Sequence, residues 1–122
     1  MILEFTIPVA PKTKKNHSRI ITVKGRPMLI PSKEYSQYER DVAPFIPRLE
    51  KPIDYPVTLA CTFYKPTRRR CDLVGHLQSI QDILVKYGVL EDDCDLIVVS
   101  VDGSRVVYDK NNARTEVRIY DG

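Results

Sequence analysis

The sequence predicts an α+β fold in which two helices pack against a mixed or antiparallel sheet. Three observations predict it. Several short segments alternate apolar and polar residues, two longer segments carry apolar residues at helical spacing, and the two kinds are interspersed along the chain. The 122 residues, of which 43% are hydrophobic and 29% charged, suit one folded domain over residues 1–122.

A strand, a basic loop and a hairpin are predicted in the first quarter of the chain. In "ILEFTIP", Leu3, Phe5 and Ile7 stand at alternate positions and therefore share one face of a strand. "APKTKKNHSR" is polar, basic and contains a proline, so it is predicted to be a loop. "RIITVKGRPMLIP" predicts two short strands joined at Lys24 and Gly25.

The first helix is predicted to begin after Ser32, a good N-cap residue, and to end near Pro47. Its apolar residues recur at helical spacing and should face the core: Tyr35, Tyr38, Val42 and Phe45. "RLEKPIDYP" is predicted to connect this helix to the next strand, "VTLACTFY". The residues of that strand that should face the core are Val57, Leu59, Cys61 and Phe63.

The second helix is predicted from about Leu73 to Tyr87. Between those two ends, its apolar stripe continues through Leu77, Ile80 and Leu84. Gly88 follows as the expected C-cap, and the residue after it is placed to pack back on the last turn.

Three more strands are predicted after the second helix. "LIVVSV" is the first, and the pair Asp102-Gly103 predicts a hairpin turn that leads into "SRVVY". "DKNNA" is expected to be a loop, and the alternating "RTEVRIY" is expected to form the last strand.

Charged residues are segregated along the chain, although the net charge is only +3. Within residues 1–30, lysines and arginines outnumber a single acid, Glu4. A basic cluster precedes the second helix and an acidic cluster follows it; their members are Lys65, Arg68, Arg69 and Arg70, and Glu91, Asp92, Asp93 and Asp95. This distribution favours a polyanion as partner, with an acidic pocket set inside a basic surface.

The cysteine content and the N-terminus indicate a cytoplasmic setting. Three cysteines cannot all pair within one chain, and no CxxC motif occurs, so reduced thiols are expected. The segment "MILEFTIPVAPK" has no basic leader and a broken apolar run, so a signal peptide is not expected. No stretch is long enough to predict a membrane span.

A set of motifs resembles a known family. "RRRCDL" precedes the second helix, "DIL" lies within it and "GVLEDD" follows it. With "IPVAPKTKKN", "PSKEYSQYERDVA" and "RTEVRI", these motifs span nearly the whole chain. In their order and spacing they resemble the RusA-type Holliday junction resolvases, small metal-dependent endonucleases found in prophages and bacteria. The resemblance implies a homodimer that binds four-way DNA junctions and makes paired nicks, in DNA recombination and repair.

The resemblance also implies site residues. Asp72 matches the first Asp of the family's helix-start motif, and Asp93, with Asp92 beside it, matches the family's metal-binding Asp. Carboxylates that hold Mg²⁺ or Mn²⁺ supply what phosphodiester hydrolysis needs, an activated water and a stabilised leaving oxygen. We therefore expect Asp72 and Asp93 to be catalytic. The expected metal ligands are Asp72, Asp93, Asp92 and Asp82, and the residues expected to bind DNA phosphates are Lys14, Lys15, Arg68, Arg69 and Arg70.

The sequence departs from the family at three positions. The second Asp of the motif, the Asn after it and a lysine further along the helix correspond here to Val74, Gly75 and Gln78. One expected ligand and one expected basic group are therefore absent. The acids that could replace the missing one are Asp82, Glu91 and Asp95.

Simpler interpretations exist for several of these residues. Asp72 is also a plausible helix N-cap, and Asp82 could form an i, i+4 pair with Lys86. His76, one helical turn after Asp72, could join the site or be a surface or partly buried histidine. The spacing of a conceivable zinc site matches no standard pattern; its ligands would be His17, Cys71, His76 and Cys94.

Two other functions compete with the nuclease. One is a catalytically impaired homologue that binds junction DNA without cutting it, which the departures at Val74 and Gly75 motivate. The other is an interaction or structural protein whose charges are only surface charges. Metal-dependent nicking separates the first alternative from the nuclease, and salt-dependent DNA affinity excludes the second.

Overall fold

A computed structural model describes residues 1–14 and 18–122, with the backbone alone described at 18–21 and 28–31. It confirms the predicted α+β fold. The strands are Leu3–Ile7 (β1), Ser18–Val23 (β2), Arg26–Pro31 (β3), Val57–Lys65 (β4), Val98–Ser100 (β5), Arg105–Tyr108 (β6) and Arg114–Asp121 (β7). The helices are Lys33–Val42 (α1) and Leu73–Lys86 (α2), and a 3₁₀ turn follows α1 at Ala43–Phe45.

Strand β4 is the centre of the main sheet. One edge of β4 pairs antiparallel with β7, which in turn pairs antiparallel with β1. The other edge pairs parallel with both β5 and β6, so the sheet is mixed, as predicted. The β4 residues predicted to face the core are all buried: Val57, Leu59, Cys61 and Phe63.

The hairpin predicted at residues 102–103 is wrong. Strands β5 and β6 run in the same direction along one edge of β4, with Thr58 paired to Ser100 and Thr62 paired to Arg105. Between these pairs β4 advances by fewer residues than its neighbour, so the intervening turn is a bulge. Gly103 makes room for the extra residue, because a glycine can take the left-handed conformation that the bulge requires, here with φ 88°.

Ser104 supplies hydrogen bonds to β4 at this bulge. Its hydroxyl accepts a hydrogen bond from the Cys61 amide at 3.0 Å and donates to the Leu59 carbonyl at 3.4 Å. The side chain therefore partners backbone groups of β4 at the point where the strand beside it is interrupted. This local bonding holds the chain along β4 instead of letting it reverse.

The hairpin predicted around Lys24 and Gly25 is confirmed. Strands β2 and β3 pair antiparallel and form a separate two-stranded sheet. Both turn residues have positive φ, 51° and 77° respectively. Two consecutive positive φ values are typical of the type I′ turn, whose twist matches that of the strands it joins.

Helix α1 begins as predicted but ends sooner. The Ser32 hydroxyl accepts a hydrogen bond from the Tyr35 amide at 3.1 Å, which confirms the N-cap. Tyr35, Tyr38 and Val42 are buried, whereas Phe45 is 43% exposed, so its predicted place in the core is wrong. The α-helix stops at Val42, and the 3₁₀ turn after it has a different periodicity, which moves Phe45 off the apolar stripe.

Helix α2 ends in the predicted glycine C-cap. Gly88 has φ 79°, the Val89 amide donates to the Leu84 carbonyl at 2.8 Å, and the Gly88 amide donates to the Val85 carbonyl at 3.2 Å. These two bonds form the Schellman motif. Val89 is fully buried beside the last turn, as expected. Among the described residues, no helix combines the length and the apolar character needed to cross a bilayer.

The order β4–α2–β5 is a crossover between parallel strands, and it sets the positions of the charged clusters. Helix α2 starts beyond the last residue of β4, and the chain returns to the first residues of β4 after α2 ends. There the Glu91 amide donates to the Ile53 carbonyl at 2.9 Å, and the Val57 amide donates to the Ile97 carbonyl at 2.7 Å. The basic cluster and the acidic cluster therefore lie at opposite ends of β4.

The bulge generates a stability prediction. Ser104→Ala should lower the free energy of unfolding by about 1–3 kcal/mol, because the fully buried Cys61 amide loses its acceptor. Ser100→Ala is the matched control, since that hydroxyl accepts only from the exposed Asp102 amide and its loss should cost under about 1 kcal/mol. Urea unfolding of both variants measures the difference. Equal losses would show that Ser104 does not hold the bulge.

Candidate functional site

Asp72 is the N-cap of α2. Its Oδ1 accepts a hydrogen bond from the Val74 amide at 3.1 Å, so the simpler interpretation of this residue is confirmed. A carboxylate at a helix N-terminus is stabilised by the helix dipole. Its Oδ2 lies on the side of Gly75 and Thr13, at 3.8 Å from where a Cβ on Gly75 would stand. The cap geometry therefore fixes where this carboxylate points.

Asp72 lies in an open pocket of about 540 Å³ at the end of β4. Among the described residues, four cationic ones share the lining with this one acid: Lys12, Lys65, Arg69 and Arg70. The other described lining residues are 10, 11, 13, 66, 67, Cys71 and His76. A pocket in which positive charge outweighs negative charge and a helix begins is suited to an anion such as a phosphate.

Hydrogen bonds hold the cationic side of the pocket in place. Lys65 Nζ donates to the Arg69 carbonyl at 2.6 Å, which draws the arginine-rich segment back onto the end of β4. Ser79 Oγ donates to the Lys12 carbonyl at 2.9 Å. Since that bond uses the only hydroxyl proton of Ser79, Tyr35 is the donor in the 2.7 Å bond between their hydroxyls. Burial raises the pKa of Tyr35 to about 12, so this donor keeps its proton.

His76 forms part of the pocket wall. It is only 5% exposed, and its ring stacks on Phe63 with centroids 5.1 Å apart. Its Nδ1 is buried and has no hydrogen-bond partner among the residues that the structure describes. The pKa of His76 is lowered by burial and by the charge of Lys65, while the charge of Asp72 acts in the opposite direction. The imidazole is thus held neutral among charged groups.

The other predicted carboxylates do not join Asp72 in the same chain. Asp92 and Asp93 follow α2 at the opposite end of β4, where the Asp93 amide donates to Asp92 Oδ1 at 2.8 Å. Helix α2 has 14 residues and is therefore about 21 Å long, which sets the scale of the separation. Within residues 1–14 and 18–122, no group of three or more His, Cys, Asp or Glu side chains could hold a metal ion.

Asp82 has partners on the flank of α2. Its Oδ2 lies 3.1 Å from Lys14 Nζ, and its Oδ1 accepts from Gln78 Nε2 at 3.0 Å. The predicted i, i+4 partner, Lys86, pairs instead with Glu39 at 2.8 Å. A metal-binding role for Asp82 stays a prediction, but its carboxylate is committed to a lysine and an amide.

The predicted phosphate-binding residues that the structure describes do not all lie at the pocket. Arg69 and Arg70 line the pocket, whereas the Arg68 guanidinium lies over the Tyr108 ring at 4.1 Å from its centroid. Lys14 Nζ lies 5.8 Å from the Tyr35 ring centroid as well as beside Asp82. Lys15 lies outside the described residues.

The structure gives little support to the conceivable zinc site. Cys71 lies at the pocket beside Asp72, whereas Cys94 belongs to the acidic segment at the other end of β4. His17 lies outside the described residues. The two cysteines and His76 therefore do not converge within the part of the chain that is described.

Two of the lining cations were missed as site residues. Lys12 and Lys65 are unremarkable in a basic sequence, but their carbonyl and amine groups are fixed by Ser79 and Arg69. The sequence leaves the role of His76 open, and its signal is the one-turn spacing from Asp72. Its burial and its unpartnered nitrogen are visible only in three dimensions.

A larger depression, of about 920 Å³, runs along α1. Its lining mixes Lys33, Arg40, Glu34 and Asp41 with apolar and amide side chains, so neither charge nor shape favours one ligand. The pocket at Asp72 is the better candidate, because cations, a carboxylate and a buried imidazole converge there.

Comparison with known proteins identifies a family. The family model described as "Endodeoxyribonuclease RusA" matches residues 8–120. The match covers both helices, the pocket, the acidic segment and the main sheet apart from β1 and the last residue of β7. No curated protein matches the chain.

The cap at Asp72 generates a prediction that separates stability from function. Asp72→Asn should change the free energy of unfolding by less than about 0.5 kcal/mol, because Asn is as good an N-cap as Asp. Asp72→Ala should cost about 1 kcal/mol, since the Val74 amide loses its acceptor. Thermal or urea unfolding compares them. If both variants lose the same stability, the carboxylate charge, and not the cap, stabilises this end of α2.

Proposed function

Because the chain belongs to the RusA family of endodeoxyribonucleases, we propose that it resolves four-way DNA junctions as a metal-dependent homodimer that makes paired nicks. The observation that carries this proposal is the pocket in which Asp72 lies among four cations. We place the activity in DNA recombination and repair, and in the cytoplasm, where the unpaired Cys61, Cys71 and Cys94 fit a reducing compartment.

The cations at the pocket are proposed to hold the DNA backbone. Arg69 and Arg70 present guanidinium groups that suit the bidentate binding of phosphate, and Lys12 and Lys65 add point charges beside them. The predicted contacts from Lys14, Lys15 and Arg68 would extend this grip along the strand. Such contacts give affinity that depends on salt and not on sequence, which suits an enzyme that selects DNA by its branched shape.

The donors that one chain brings together do not fit Mg²⁺ or Mn²⁺. These ions prefer several oxygen ligands, and the pocket offers one carboxylate among four cations. Two chains would fit better. If Asp92 and Asp93 of a second copy approach Asp72, three carboxylates meet beside the phosphate grip. We therefore propose that the metal ligands are Asp72 of one chain and Asp93, with Asp92, of another.

A bound divalent cation would supply an activated water and stabilise the leaving oxygen. The chain's own residues would do the rest. Arg69 and Arg70 orient the phosphate and neutralise part of its charge, and the N-cap bond at Asp72 holds that carboxylate at the pocket mouth. Asp82 is left out of the proposed ligand set because of its pairing with Lys14.

Exposed apolar residues near the acidic segment support an interface there. Leu96 is 74% exposed and Val99 is 47% exposed, and both belong to the apolar segment "LIVVSV". A two-fold axis that brings the acidic end of one chain to the basic pocket of the other would create two identical sites, as paired nicking requires.

A homologue that binds junctions without cutting them is the second candidate. Val74 stands where the family's second Asp is expected, and its side chain is 70% exposed and not part of the pocket lining. Each chain therefore has one carboxylate fewer than the family pattern at the start of α2. Nicking of a synthetic four-way junction in the presence of Mg²⁺ or Mn²⁺ distinguishes the two functions.

The nuclease proposal predicts the effect of two substitutions. Asp72→Asn and Asp93→Asn should each abolish nicking, because each removes a metal ligand. Junction binding in EDTA should persist, since phosphate contacts provide most of the affinity. The assay is single-turnover cleavage of a labelled junction, with gel-shift binding in parallel.

Asp41→Asn is the matched control, because it removes an exposed carboxylate that bonds only Gln37 on α1. Its nicking rate should equal that of the wild type. Full activity in Asp72→Asn or Asp93→Asn would remove that residue from the site. A wild-type protein that binds the junction but does not nick it would leave the binding homologue as the function.

A further inference from the structure

We propose that His76 is a phosphate-binding residue of the DNA site, whose neutral imidazole donates Nε2–H to an oxygen of the phosphate held in the pocket. This inference rests on the proposed function, because it assumes that the anion in the pocket is a DNA phosphate. Neither the family resemblance nor the motif comparison assigns this residue a role. In the sequence, the only signal at His76 is its position one helical turn after Asp72.

The burial of His76 is unusual for a side chain with only a structural role. The ring is 5% exposed and lies on Phe63, and Nδ1 is sealed from solvent without a hydrogen-bond partner. An unsatisfied buried polar atom is destabilising, and an apolar side chain would fill the same space without it. The polar ring at this place is therefore explained better by a ligand that its other nitrogen can reach.

The environment of the two ring nitrogens selects a tautomer. A neutral imidazole carries one N–H and one unprotonated nitrogen. An N–H buried without a hydrogen-bond partner is rarer in proteins than an acceptor buried in the same way. The proton therefore belongs on Nε2, and Nδ1 carries the lone pair. Because His76 lines the pocket while Nδ1 is sealed, Nε2–H is the group that can face a ligand.

This tautomer favours an anion over a metal ion. A histidine that binds a metal through Nε2 normally donates its Nδ1–H to a carbonyl, a carboxylate or a water, and Nδ1 of His76 has no such partner. The four cations that share the pocket would also repel a metal ion that had only Asp72 as an anionic ligand. The same cations attract a phosphate, to which an Nε2–H group can donate.

The buried Nδ1 keeps the imidazole in this form, because protonation there would leave an N–H without a hydrogen-bond partner among the described residues. The charged groups that line the pocket with His76 come from several elements: Asp72 before α2, Lys65 at the end of β4, and Lys12, Arg69 and Arg70 in the adjoining loops. His76 is therefore a neutral hydrogen-bond donor among cations. Its hydrogen bond orients the phosphate, whereas the charges of the cations attract it.

A neutral donor and a cation leave different signatures in DNA binding. Neutralising a phosphate with a cation releases counterions, so the loss of that cation flattens the dependence of affinity on salt by about 0.9 in log–log slope. The loss of a neutral hydrogen bond lowers the affinity at every salt concentration and leaves the slope unchanged. The two contributions can thus be separated by experiment.

The test compares His76→Phe, His76→Gln and Arg69→Ala in binding to a fluorescent four-way junction in EDTA, over a series of salt concentrations. Phe keeps the stacking on Phe63 but has no donor, and Gln keeps a donor. His76→Phe should lose about ten- to a hundredfold in affinity with an unchanged slope. His76→Gln should recover most of that loss, and Arg69→Ala should lose affinity with a flatter slope.

Binding by His76→Phe equal to that of the wild type would overturn the proposal. A flattened slope in His76→Phe would also overturn it, because the residue would then act as a cation. Since these measurements contain no metal, they are independent of cleavage. Absence of nicking in the wild type would contradict the nuclease proposal and leave the result on His76 standing.

A second test uses the wild-type protein and therefore does not depend on whether a variant folds. In a ¹⁵N spectrum of the imidazole groups, His76 should show the Nε2–H tautomer, and its Nε2 resonance should shift when junction DNA is added in EDTA. An Nδ1–H tautomer, or no shift with DNA, would contradict the proposal.

Discussion

The packing of α2 along β4 is the constraint on which the candidate site depends. Ile80, Ile83 and Leu84 of α2 belong to the same buried core as the β4 residues that face it, and His76 of α2 stacks on Phe63 of β4. This contact fixes a 14-residue helix beside a nine-residue strand. Because the chain must travel the whole of α2 before it returns to β4, Asp72 and Asp93 lie at opposite ends, about 20 Å apart on the scale of the helix.

That separation gives the segregated charges a common explanation. Each chain carries a basic pocket with too few carboxylates for a metal ion and, at the other end of β4, an acidic segment beside exposed Leu96. The two ends are complementary in charge. The acidic segment of a second copy can therefore supply carboxylates to the pocket, and the pocket of that copy can supply cations to the acidic segment. In a two-fold dimer the same contact occurs twice, and the need for two cutting sites and the need for shared ligands are met together.

Most of the fold could be predicted from the sequence, because alternation, helical spacing and caps are local signals. Ser32, Asp72 and Gly88 bound their helices as their residue types indicate. The exceptions depend on distant contacts. The Asp-Gly pair after β5 forms a bulge and not a hairpin, because Ser104 bonds the backbone of β4, and no local pattern contains that contact.

The site was harder to predict than the fold for the same reason. A motif shows which carboxylates occur, but the distance between Asp72 and Asp93 depends on the path of the chain after α2, and that path returns to the opposite end of β4. The burial of His76 and the pairing of Asp82 with Lys14 likewise require the packed structure. Charge segregation, in contrast, was visible in the sequence, since it needs only residue order.

Mixed dimers provide the most direct test of the shared site. Chains carrying Asp72→Asn and Asp93→Asn are co-expressed with different tags, and the heterodimer is purified and given a four-way junction with Mg²⁺. If sites are shared, one site of the heterodimer lacks both carboxylates and the other retains both, so it should nick one strand without paired incision, while each parent homodimer is inactive. A heterodimer that binds the junction but is as inactive as its parents would contradict the account.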